Sequence, residues 1–346
     1  DVYKRQVRVC ACLRTRWVPS ERNRPIRGFL EPSACRDEGD LGTVDRDFAV
    51  LVRIRRTTAS PSSSSVPHMK GPDVPSALSR ALDLSYPSNR FALGGFAVSL
   101  VALAVKAVVT DDLTLIGAAA AALAVYLGWA AGRELDPDTA GVSMLAMVLA
   151  LVFALFATPA ALATGVALIG LRVVVGTVGM PVTWLDAVVF LTIGAVVGVT
   201  PILWIVGISI LIWLWKAPEV GELRAVVMGS FLVGAVGGLG WLWYQWSQDQ
   251  VESVEISATA YVLAGLAAVA MIVAARPVSV TSLTDVGVST IDPARVRLSR
   301  VAAGSYCMWA AVIGGTAGFW AIGPIFAALV AAAIYRFFVQ PAAVGQ

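Results

Sequence analysis

The amino-acid sequence predicts an all-α protein: a polytopic transmembrane helix bundle of about ten spans, eight being the lower count, with both termini cytoplasmic. Three observations predict it. Residues 91–338 are an almost unbroken apolar store, Pro and Gly punctuate that store at helix-length intervals, and the cations fall in alternate connections. The chain is 58% hydrophobic with a mean hydropathy of +0.76, against about 45–50% apolar in soluble domains.

The apolar stretches are 91–109, 113–132, 141–158, 160–178, 182–199, 201–215, 224–246, 256–275, 301–318 and 321–338. Each approaches the roughly 20 residues that cross a hydrocarbon core of about 30 Å. The first pair is separated by Asp111-Asp112, and the second and third stretches by the polar string Arg133 to Asp138. Thr158-Pro159 divides residues 141–178, because proline removes a donor and restricts the residue before it. As one helix, residues 182–215 would be about 51 Å long, so Thr200-Pro201 is read as a hairpin. Lys216 to Arg224 and Asp249 to Glu255 close the next two stretches. Residues 276–300 form the longest connection, and 301–338 divides between Gly318 and Pro324.

Charge orients the bundle. Of the 13 Lys/Arg in residues 69–346, all but Lys106 and Arg172 fall on one side if the chain starts in the cytoplasm and crosses ten times. The other side carries Asp111, Asp112, Asp249, Glu252 and Glu255. This is the asymmetry of the positive-inside rule. It predicts a multi-pass protein of a prokaryotic plasma membrane with the bilayer as its first partner. A net charge of +3, with no basic face, argues against a nucleic-acid partner.

The organisation expected is an extension at 1–68, a cytoplasmic lead-in at 69–90, the helical domain at 91–338 and a tail at 339–346. The extension is Arg-, Ser- and Pro-rich and lacks apolar periodicity. Its opening Asp1-Val2-Tyr3-Lys4-Arg5-Gln6 resembles a translated transposon-end adaptor, and Met69-Lys70-Gly71-Pro72 reads as a start. Residues 1–68 are therefore expected to be spurious, the alternative being a disordered basic tail.

Residues 69–346 hold no histidine and a single cysteine, Cys307. Histidine-dependent triads, histidine-ligated haem and ordinary zinc sites are excluded there. No catalytic residue, metal or cofactor is expected. Arg133, Glu134, Asp136 and Asp138 form the most distinctive polar string: its alternating acids suit oxygen ligation of a cation or solute, or a plain capped turn. Arg172 and Asp186 fall at similar depth in neighbouring helices and are expected to form an intramembrane ion pair. Gly194, Gly198, Ser230, Gly234, Gly238, Gly314 and Gly318 have helix-packing spacing. Arg295, Arg297 and Arg300 can bind anionic lipid. Tyr306, Cys307 and Met308 around Trp309 are mid-span, and core packing is their ordinary role.

The string Gly132 to Asp138, with Arg172 to Asp186, resembles a group of multi-span membrane proteins from halophilic and related archaea for which no activity is known. The resemblance covers roughly residues 80–338 and implies a helical membrane protein. The function expected is a transporter or permease for a neutral or lipophilic solute. The alternatives are a non-catalytic assembly subunit and, third, an intramembrane enzyme using the acidic loop 133–138.

Overall fold

The computed structural model describes residues 84–111, 113–177, 183–216, 223–247, 257–277, 279–284 and 290–338. The expected extension 1–68 and tail 339–346 lie outside the described residues, as does the lead-in before residue 84. Of the described residues 86% are helical and none lies in a strand, so the all-α class holds.

Among the described residues ten α-helices follow the ten apolar stretches: α1 (Pro87–Thr110), α2 (Leu115–Leu135), α3 (Ala140–Phe156), α4 (Ala161–Val175), α5 (Trp184–Val199), α6 (Trp204–Lys216, after a 3-10 turn Pro201–Leu203), α7 (Arg224–Ser247), α8 (Ala258–Ala274), α9 (Pro293–Ala321) and α10 (Gly323–Phe338). Local chemistry sets their ends. Thr114 and Ser257 accept from Gly117 N at 3.0 Å and Ala260 N at 3.3 Å, capping α2 and α8. α4 ends on Gly176, whose φ of 68° is the left-handed stop that glycine favours.

Two helix starts shift most from the sequence reading, the other ends moving by no more than three residues. α1 begins at Pro87, since Tyr86-Pro87 supplies an extended cap and a proline in the first turn. α9 begins at Pro293 rather than 301, because Asp292 accepts from Ala294 N at 2.8 Å and Pro293 starts the helix. Arg295, Arg297 and Arg300 are thus helical residues and not part of a loop.

By length and composition, α1, α2 and α7 can each cross a membrane, and α9 with α10 makes a fourth candidate as one bent pair. The other helices are shorter. α9 and α10 meet at 87° instead of folding back as a hairpin. α9 is itself kinked at Gly315, which leaves helical geometry with φ 59° and ψ −153°, and it is capped at Ile322, where α10 turns away.

Contacts sort the helix ends into two sets. The C-terminal ends of α2, α4, α6, α8 and α10 gather with the start of α9 around a group of ionic residues. At the opposite end Lys106 of α1 donates to Ala154 O of α3 at 3.3 Å, and Ala160 N before α4 donates to Ala321 O of α9 at 3.0 Å. α10 is the most enclosed helix, with Ile325, Ala328, Leu329 and Ala332 fully buried.

α5 and α7 lie side by side and parallel. A Cβ on Gly194 would strike the Phe231 carbonyl, and one on Gly234 the Leu191 carbonyl; Gly198 and Gly238 face Ala235 and Ala195 in the same way. The segments Gly194-Ala195-Val196-Val197-Gly198 and Gly234-Ala235-Val236-Gly237-Gly238 match residue for residue at this contact, apart from the fourth position. Side-chain bulk here would part the backbones, so the close approach needs glycine. Gly314 and Gly318 instead make room for Ile202, and Ser230 stays half-buried.

Candidate functional site

The link between α2 and α3 carries the acidic string, and its alternation sends successive side chains to different neighbours. Glu134, 1% exposed, faces the Arg172 guanidinium of α4 at 3.1 Å and accepts from Thr177 Oγ1 at 2.7 Å. Asp136 accepts from Arg336 of α10 at 2.8 Å and from Arg300 of α9 at 3.3 Å. Asp138 points outward and accepts from Thr281 N, Thr281 Oγ1 and Ser282 N at 2.8, 3.2 and 2.8 Å. Arg133 donates to Asn89 Oδ1 of α1 at 3.2 Å and lies over the Trp129 ring.

Arg300 is fully buried and well satisfied. Its Nε donates to Leu135 O at 2.7 Å and a terminal nitrogen donates to Ala274 O at 3.0 Å, in addition to the Asp136 contact. The guanidinium therefore binds the ends of α2 and α8 to α9. Arg295 works similarly, donating to Val174 O at 2.9 Å and Val173 O at 3.2 Å and stacking over Trp213. Free carbonyls at helix C-termini attract such cations.

Burial tends to raise the Asp138 carboxyl, but the hydrogen bonds from Ser282 and Thr281 outweigh it and hold the group below its ordinary range. A carboxylate that accepts several N–H and O–H bonds is stabilised in its charged form.

Several sequence expectations change here. Arg133, Glu134, Asp136 and Asp138 diverge toward separate partners instead of presenting one shared ligand position. Arg172 faces Glu134, not Asp186. Asp186 is fully buried in a capping box at the start of α5, accepting from Thr183 N at 2.7 Å. Of the three arginines expected to meet lipid, Arg295 and Arg300 turn into the protein, and Arg297 stays exposed. Arg300 and Arg336 were missed as partners of Asp136. Arg300 carried a signal, since it shares a helix stripe with Val296, Ala303 and Cys307, all buried.

A second cluster surrounds the helix breaks. Trp309 Nε1 donates to Pro201 O at 2.9 Å, which occupies a carbonyl at the start of the 3-10 turn. Ile202 fits against Gly314 and Gly318 of α9. Ser209 bonds the Tyr306 hydroxyl, and Ser257 meets Thr316 at 3.3 Å beyond the Gly315 break. Tyr306 of α9 is buried beside Gly170 of α4 and Val206 of α6, and Cys307 is fully buried. Among the described residues no cluster of three His, Cys, Asp or Glu is placed to hold a metal ion. No protein-family model, curated protein or solved structure matches the chain.

Proposed function

We propose that the chain is a multi-pass membrane protein of transporter or permease type for a neutral or lipophilic solute, with its ionic end in the cytoplasm of a prokaryotic cell. The observation that carries this reading is the meeting of a broken helix with the turn that opens α6. Trp309 of α9 touches Pro201 before α6, and Gly315 breaks α9 just beyond. Trp309 is nine residues from Arg300, or roughly 13 Å along the helix, close to half of a hydrocarbon core of about 30 Å. Unwound backbone at membrane depth is tolerated where protein or a cavity supplies partners, and transporters use such breaks as binding places.

The absence of Asp and Glu from the described residues of α6, α9 and α10 favours a neutral solute. Positive-inside charge supports eight to ten crossings with both ends in the cytoplasm. A hairpin that turns at Pro201 before the far side returns to the same face, so either count keeps the cations together.

The test is proteoliposome swelling with a size series of neutral solutes, joined to thiol labelling of Thr316→Cys in a background with Cys10, Cys12, Cys35 and Cys307 all changed to alanine. Flux above empty vesicles and labelling by an impermeant maleimide are expected. A sealed, unlabelled bundle without flux would support the assembly-subunit reading instead. That second reading is favoured by the enclosure of Glu134, Asp136, Arg300 and Arg336 in structural contacts.

A further inference from the structure

We infer that the first turns of α9 hold an anionic phospholipid of the leaflet at the ionic end, its phosphate on Arg297 and its hydrocarbon along Leu298 and Val301. The inference rests on the membrane-embedded reading above, though not on transport. Pro293, Ala294, Arg297, Leu298 and Val301 lie on one face of α9, with Pro277 beyond α8 across from them, and together they line a groove of about 480 Å³. That volume lies in the range of about 300–1,000 Å³ typical of small-ligand sites.

The lining selects the ligand class. Arg297 is its one charged residue, and every other lining residue is apolar. A free inorganic anion would use the guanidinium and leave the apolar wall wet. A zwitterionic lipid would use the wall but bring a cation toward Arg297. An anionic phospholipid matches both parts. Leu298 and Val301 are 45% and 36% exposed, which gives an acyl chain room to lie against them.

Position supports the same occupant. Arg300, one turn along, is locked to the ends of α2 and α8, so the groove stands at the level where the ionic end meets headgroups. Exposed Arg276 directly precedes Pro277 and adds a second cation at the rim. The nearby Asp292 carboxylate is engaged by Ala294 N at 2.8 Å as the α9 cap. Basic residues beside apolar surface at this leaflet attract acidic lipids.

The experiment is native mass spectrometry of the detergent-purified full chain with phosphatidylglycerol and phosphatidylcholine of equal acyl length. The chain is expected to retain phosphatidylglycerol preferentially. Arg297→Gln should weaken that binding roughly fivefold, as about one surface cation's worth of attraction is lost. Leu298→Glu should abolish the preference by placing an acid in the groove. Arg90→Gln, which changes another exposed arginine at the same end, should leave it intact.

Equal retention of the two lipids overturns the inference. So does unchanged phosphatidylglycerol binding in folded Arg297→Gln, or full displacement by millimolar inorganic phosphate. Both groove variants change exposed side chains, and their melting curves check that they fold. Loss of lipid preference with solute flux intact overturns this inference alone, whereas absent flux with the preference retained counts only against transport.

Discussion

Asp136 and Arg336, separated by 200 residues, meet at 2.8 Å in a buried contact that joins the α2–α3 link to the end of α10. Arg300 approaches the same carboxylate oxygen at 3.3 Å. One acid thus neutralises part of two buried cations drawn from different helices. Removing it leaves both without their carboxylate. Asp136→Ala is expected to destabilise the fold by about 3–5 kcal/mol, the usual cost of stranding a buried charge. Thermal unfolding in detergent reads this out. The triple change Asp136→Leu, Arg300→Met, Arg336→Met should recover most of the loss; a triple variant no better than the single one would refute the ionic account.

Glu134 and Arg172 should behave as a coupled pair. Glu134→Arg and Arg172→Glu are each expected to lower the folded yield, and the double reversal to restore much of it, with a coupling of about 0.5–3 kcal/mol. Arg172→Asp with Asp186→Arg should show no such rescue, because Asp186 caps its own helix. Simple additivity in the first cycle would be the contrary result.

Alanine at the α5–α7 contact separates crowding from helix propensity. Gly194→Ala and Gly234→Ala place a methyl group against carbonyl oxygens of the partner helix and should cost about 1–3 kcal/mol. Gly229, Gly237 and Gly240 of α7 face open space. Alanine there should be neutral or stabilising by up to about 1 kcal/mol, since glycine is the poorer helix former in water. Equal effects at both sets would argue against close packing.

The Asp138 tether should respond to acid. Its carboxyl is held below the ordinary range in the folded chain, so its contribution is present above the unfolded value and is lost as pH falls through the folded one. Protection of the Thr281 and Ser282 amides, measured against their intrinsic exchange rates at each pH, is therefore expected to hold through neutral and mildly acidic pH, then fall below the usual carboxylate range. Asp138→Asn should remove the pH dependence. Protection that ignores acid would show that the carboxylate does not hold this segment.

The helices were legible because their causes are local. Thr200-Pro201 acts within a turn and was read correctly, whereas the equally local Asp292-Pro293 and Gly176 set ends that apolar runs alone put at 301 and 178. The glycine spacing of α5 and α7 also announced close packing, though not which helix each would meet. The ionic site was less legible. Similar depth made Arg172 and Asp186 look like partners, but depth says nothing of rotation about the helix axis, and Glu134 faces Arg172. Asp136, Arg300 and Arg336 are distant in sequence, so only tertiary packing brings them together. The kink inside α9 falls on Gly315, whose unusual backbone angles have no signature beyond its identity, and the 87° bend follows at the break between Ala321 and Gly323.

The Asp136–Arg336 contact also imposes an order on synthesis. The acid leaves the ribosome early, and Arg336 follows 200 residues later. A nascent chain stopped before α10 carries that carboxylate with half of its cationic clamp missing. Until α10 is in place only Arg300 faces that carboxylate, so the ionic end stays half-assembled while the rest of the bundle is already made.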